Sequence, residues 1–158
     1  MKLIKPSYQI LDQPTGLEGI YQQIEMAGRT CYRSQRPKGQ TAKDFVDRMI
    51  KSQHYAMLEH GTVYLKIKST IITNELLRTE DFKAISEYKR NPYSKVVDTG
   101  GYAYITTNMR VLQENGWLND LKYLCEPTEH HEKRVTVRFT TDRGVSHEFV
   151  RHKLLCVA

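Results

Sequence analysis

The sequence predicts an α+β protein, in which helices mix with antiparallel strands. Three observations carry that expectation. Apolar residues recur at helical spacing over 16–32 and again over 42–53. Two stretches, "HGTVYLKIKS" and "RVTVRFTT", alternate apolar and polar residues as half-buried strands do. The order of these elements does not follow the regular strand–helix–strand spacing of a parallel sheet.

Taken in order, "KLIKPSYQIL" reads as a first strand, with Leu3, Ile4, Ile10 and Leu11 apolar. "GLEGIYQQIEMAGRTCY" places Leu17, Ile20, Ile24 and Ala27 on one helical face. "SQRPKGQ" is a loop. Thr41 with Asp44 three residues later forms a capping-box pattern, Asp replacing the usual Glu or Gln, and opens a helix whose Phe45, Met49 and Ile50 share a face. In the next strand Val63, Leu65 and Ile67 point one way and Tyr64, Lys66 and Lys68 the other. "TIITNELLRTEDFKAISEYKRN" reads as an irregular helix. "NPYSKVVDTGG" carries turn signals and precedes a short strand over Tyr102 to Thr106. "NMRVLQENGWLNDLKYLCE" is one helix, or two broken near Gly116. "EPTEHHEK" is a polar, solvated loop. After the strand "RVTVRFTT", Asp142 or Thr141 caps a last helix, "RGVSHEFVRHKLL".

A length of 158 residues fits one domain, 1–158, with room for a real core. No apolar run approaches the ~20 residues of a membrane span. "MKLIKPSYQI" is too polar for a secretory leader, so the cytoplasm is the expected compartment. Cys31, Cys125 and Cys156 are odd in number and form no CxxC pair, which favours reduced thiols over a disulfide framework. The net charge of +6 favours anionic partners without choosing among them. The ten tyrosines read as amphipathic strand residues before they read as a base-stacking platform.

Two stretches carry candidate chemistry. In "HEFVRH" the histidines 147 and 152 stand five apart, which at ~100° per residue splits them by roughly 140° on a helix. One helix cannot aim both at a single zinc ion, and no metal site is expected. Arg151, His152 and Lys153 form a basic triplet, either a cationic helix end or a group that recognises phosphate and carbonyl oxygens. In "SQHYAMLEHGT", His54, Glu59 and His60 gather at a strand entry. They suit a metal set, a proton relay or a hydrogen-bonded strand entry.

Taken together, "HYAMLEHGTVYLKI" and "TTDRGVSHEFVRHK" resemble the flavin-dependent thymidylate synthase family, ThyX. That family's signature runs RHRxxSxxxxSxR, preceded by a strand entered through a His-rich segment ending in Glu-His. The resemblance implies an α+β protomer in a homotetramer. It also implies FAD and NADPH as cofactors, methylenetetrahydrofolate as one-carbon donor and deoxyuridine monophosphate as the substrate converted to thymidylate. Carried onto this chain, Arg151, His152 and Lys153 contact the flavin, and Arg151 also touches the nucleotide and polarises its ring. Glu148 lines the nucleotide site. His54, Glu59 and His60 pack on the flavin, and "TTNMRVL" adds Asn108 and Arg110. Lys153 replaces a signature Arg and Cys156 a signature Ser. The chain reaches Ala158 before the SxR half of the signature, so the expectation is a C-terminally truncated homologue with weakened FAD and nucleotide binding. The alternative is a non-catalytic basic module for nucleotides or nucleic acid, distinguished by salt-sensitive binding.

Overall fold

A computed structural model describes residues 5–69 and 80–149. Five strands and five α-helices are described, with two short 3-10 helices between them. They run β1 (Ser7–Leu11), α1 (Gly16–Tyr32), α2 (Ala42–Lys51), a 3-10 helix (Tyr55–His60), β2 (Thr62–Lys68), α3 (Glu80–Arg90), β3 (Lys95–Asp98), β4 (Tyr102–Asn108), α4 (Met109–Asn115), a second 3-10 helix (Leu118–Tyr123), β5 (Thr136–Thr140) and α5 (Arg143–Phe149). One antiparallel sheet has the order β2-β4-β3, and β1 pairs with β5 in a separate antiparallel ribbon. The α+β expectation holds. No helix among the described residues is long and apolar enough to cross a membrane.

The core forms where the helical and strand periodicities meet. Ile20 and Ile24 of α1 and Phe45, Val46 and Met49 of α2 pack with Val63, Leu65 and Ile67 of β2, Ile105 of β4 and Ile85 and Tyr88 of α3. At Gly28 an added Cβ would stand 2.5 Å from Phe45 Cζ, so the missing side chain sets how closely α1 and α2 approach. Helix α2 opens with the expected capping box: Asp44 N–H donates to Thr41 Oγ1 at 3.2 Å, and Thr41 N–H to Asp44 Oδ2 at 2.8 Å. Helix α1 closes on Arg33 in the left-handed region, φ 48°, with Ser34 N–H reaching back to Arg29 O.

A buried ion cluster ties the α1–α2 connection down. Glu25, 3 % exposed, accepts from Arg29 Nε at 2.6 Å and Arg36 Nε at 3.0 Å, and also from Arg36 Nη2. The ribbon is joined to the core by amides. Gln13 pairs with both backbone groups of Thr62 at 2.9 Å, and Gln23 Nε2 donates to Thr136 Oγ1 at 2.7 Å. Its outer face carries Tyr8, Ile10 and Phe139, all exposed.

Several expectations need adjusting. Strand β3 was read as turn; it is a short edge strand held by β4. Gly116, φ 72°, does break the segment after α4, and the second half is a 3-10 helix. The cap of α5 is Asp142, whose Oδ1 accepts from Val145 N–H at 3.0 Å. "EPTEHHEK" is not a solvated loop throughout. Its His131 is 5 % exposed and lies against β2, which also explains why Tyr64 is buried on the outer face of the sheet. Leu3, Ile4 and the first part of the segment read as an irregular helix, 70–79, lie outside the described residues.

Candidate functional site

After α2 the chain reverses through Gln53, whose φ of 58° is left-handed, and His54 N–H closes the turn onto Met49 O at 2.9 Å. A bulky polar residue in that conformation is uncommon and costs about 1–3 kcal/mol, which the surrounding packing must offset. The 3-10 helix that follows carries Tyr55, Met57, Glu59 and His60. Gly61 ends it in a tight fit, since an added Cβ would stand 2.6 Å from Ile24 Cδ1.

Helix α4 packs beside this segment. Its N-cap is Asn108, whose Oδ1 accepts from Val111 N–H at 3.0 Å. Arg110, in its first turn, donates from Nε to Glu114 at 2.7 Å and from Nη1 to Glu59. Hydrogen bonding to Glu114, and then to Glu59, holds the Arg110 guanidinium in its charged form against the cost of burial.

These elements enclose an open hollow of about 410 Å³, walled by Tyr32, Gln53, His54, Tyr55, Met57 and Arg110. That size lies within the ~300–1,000 Å³ of small-molecule pockets. Tyr32 OH stands 3.4 Å from His54 Nδ1 across it. Two phenol rings and a thioether offer flat and polarisable surface, while the amide, imidazole and guanidinium offer polar groups at the edge. The hollow therefore offers ring faces and polar groups side by side.

The sequence-named residues fall into three groups. His54 lines the hollow, and Glu59 reaches it through Arg110. His60 closes the same 3-10 helix but lies outside the hollow's wall; burial favours its neutral ring and pushes its pKa down, with the Glu59 charge acting in the opposite sense. Glu148 stands on α5, and Asn108 serves as a helix cap. Arg151, His152, Lys153 and Cys156 lie outside the described residues. Sequence reading did not single out Tyr32, Tyr55 or Met57. Only the i,i+4 spacing of Arg110 and Glu114 offered a signal for that pair.

The model of the family described as thymidylate synthase complementing protein matches residues 16–91. Those residues are similar to that family. The match spans α1, α2, the whole 3-10 segment with His54, Glu59 and His60, β2 and α3. It thus contains every wall of the hollow except Arg110. It connects the chain with thymidylate-synthase-related function in general. No curated protein and no solved structure matches the chain.

Proposed function

We propose that this chain is a flavin-dependent thymidylate synthase homologue, which binds FAD and deoxyuridine monophosphate and takes part in forming thymidylate. The observation that carries this reading is the family match over residues 16–91, because it includes the segment that walls the hollow. The hollow fits part of a flavin, with Tyr32, His54 and Tyr55 against the ring and Arg110 at its edge. Bound flavin supplies hydride transfer, with NADPH as reductant and methylenetetrahydrofolate as the one-carbon donor.

The chain's own residues have the remaining tasks. Arg151 is the proposed catalytic group, placing fixed positive charge at the pyrimidine carbonyls where negative charge develops. Its planar fork reaches two acceptors at once. His152 and Lys153 join it on the flavin, with Glu59 and His60 supporting the segment behind it. Glu148 takes the nucleotide. The reading includes a single domain over 1–158, a homo-oligomer and a cytoplasmic location.

The test is a titration of FAD into the purified chain, followed by flavin fluorescence with and without deoxyuridine monophosphate. Saturable binding, strengthened by the nucleotide and weakened about tenfold in His54→Ala, a loss of about 1.4 kcal/mol, is expected. A chain that gives no saturable response to FAD in either condition refutes the proposal.

One observation favours the second reading, a non-catalytic nucleic-acid module. Lys66 Nζ lies 4.3 Å from the ring centroid of the exposed Tyr102, a basic and aromatic pairing on the sheet's outer face. Salt-sensitive binding of single-stranded nucleic acid without any FAD binding would select it.

A further inference from the structure

His131 is a buried histidine that the proposed chemistry does not use. Its ring is hydrogen-bonded at both nitrogens. Nδ1 lies 3.0 Å from Thr128 N–H and 3.0 Å from Thr128 Oγ1, and Nε2 lies 3.1 Å from Leu65 O. A backbone N–H can only donate and a carbonyl can only accept. The pattern therefore fixes the neutral tautomer, with Nδ1 as acceptor and the proton on Nε2. The ring also meets Tyr64 and Tyr104 edge-on, with centroids 5.2 Å and 5.4 Å away.

These contacts fasten the segment 125–134 over the outer face of β2 and β4. The fastening sets how the chain enters β5 and then α5, the helix that carries Glu148. The other anchors of this segment are the Arg134 side chain, backbone N–H groups and the His130 ring, whose centroid lies 4.6 Å from that of Tyr104. Arg134 donates to Thr107 O at 3.3 Å and Tyr93 O at 2.9 Å, and its backbone N–H to Tyr64 OH at 3.2 Å. Cys125 N–H donates to Tyr64 O at 2.9 Å.

From this geometry we infer that His131 is an acid-released latch, which holds the arm over 125–134 in place while neutral and frees it when protonated. A proton on Nδ1 would point at the Thr128 N–H, turning an acceptor into a second donor and breaking the local turn in which His131 N–H meets Thr128 O. Apart from the Leu65 carbonyl, the groups that face the ring supply nothing that favours the cation. These are Tyr64 from β2, Tyr104 from β4, over whose ring Lys66 Nζ lies at 5.6 Å, and from its own segment Cys125, 3.9 Å away, and His130. The nearby carboxylate of Glu129 is 3.7 Å from His130, not bonded to His131. Burial pushes the His131 pKa down, with the Leu65 carbonyl acting in the opposite sense and His130 adding to the fall. The latch does not depend on what the hollow binds.

The test is site-resolved amide hydrogen exchange on the full chain between pH 7.5 and 5, corrected for the intrinsic pH dependence of exchange. As pH falls from the open-arm value of about 6.5 towards the lower folded pKa of His131, opening of residues 126–134 is expected to rise by up to about tenfold per pH unit and to level off below the folded value, while amides of β2 and α1 stay protected. His131→Gln keeps one acceptor and one donor without titrating, and should flatten the pH response. Exchange in 126–134 that ignores pH, or an equal response in His131→Gln, overturns the latch. So does a core that opens to the same degree as the arm, since that is global unfolding. If His131→Gln does not fold, an NMR titration of the native chain decides. The latch requires resonances of 126–134 to move with the His131 midpoint, and movement with another histidine sinks it.

Discussion

Replacing Glu25 tests the ion cluster that fixes the α1–α2 connection. The carboxylate is almost fully buried and takes donors from both Arg29 and Arg36. Hydrogen bonds to charged groups contribute roughly 1.5–3 kcal/mol each. Their loss is not additive here, because the Arg36 side chain is half exposed, 49 %, and returns to water. The Arg29 side chain is only 13 % exposed and keeps just the Gln35 carbonyl and the face of Phe45, 5.0 Å from its ring centroid. Glu25→Ala should therefore destabilise by about 2–3 kcal/mol, and Glu25→Gln, which keeps the shape and one acceptor, by about 1–2 kcal/mol. Burial alone would push the Glu25 pKa up, but the hydrogen bonds from Arg36 and Arg29 outweigh it and hold the carboxyl below its usual range. A depressed carboxyl contributes its stability above the unfolded value of about 4.3, and the contribution disappears as pH falls through the folded value. Urea unfolding, read by Trp117 fluorescence and circular dichroism at pH 7 and in steps below pH 4.5, should show the gap between native chain and Glu25→Gln closing with acid. Equal midpoints at pH 7, or a gap that does not shrink at low pH, would refute the reasoning.

Two further substitutions probe packing and a buried phenol. Gly28→Ala should lower stability by about 1–3 kcal/mol despite alanine's better helix propensity, because the new methyl group meets Phe45 at 2.5 Å and forces α1 from α2; a thermal melt with an unchanged or higher Tm contradicts this. Tyr88→Phe removes the donor 3.0 Å from Asp120 Oδ2 and should cost about 1–2 kcal/mol in urea unfolding at pH 7, whereas an indifferent midpoint would mean that the carboxylate is well served by water.

Much of the fold is legible because the core is one-sided. Ile20 and Ile24 repeat at the helical period and Val63, Leu65 and Ile67 at the strand period, and burial on one face makes both patterns visible. The capping box is legible because it is complete within four residues. Strand β3 is not, since its four residues include one half-buried Val96 and one exposed Val97, and only pairing with β4 makes them a strand. His131 is hidden for a related reason. Its neighbours are polar, and the carbonyl it meets lies 66 residues earlier in the chain. The candidate site divides in the same way. His54 and Glu59 cluster in the sequence and reach the same region of the molecule. Tyr32 approaches His54 from 22 residues away and Arg110 meets Glu59 across 51, distances over which no local spacing carries information.

The pairing of β1 with β5 has a consequence for how the chain is made. Ser7 is opposite Thr140, so β1 leaves the ribosome well before its partner strand and pairs only after nearly all the described residues have followed. At ~5–20 residues added per second, that is a wait of roughly 7–27 s. The core of α1, α2 and β2 can assemble in the meantime, because its contacts are nearer in sequence. The ribbon closes after that core, and until then the backbone of Ser7–Leu11 lacks its partner strand and is open to any chaperone that binds extended segments.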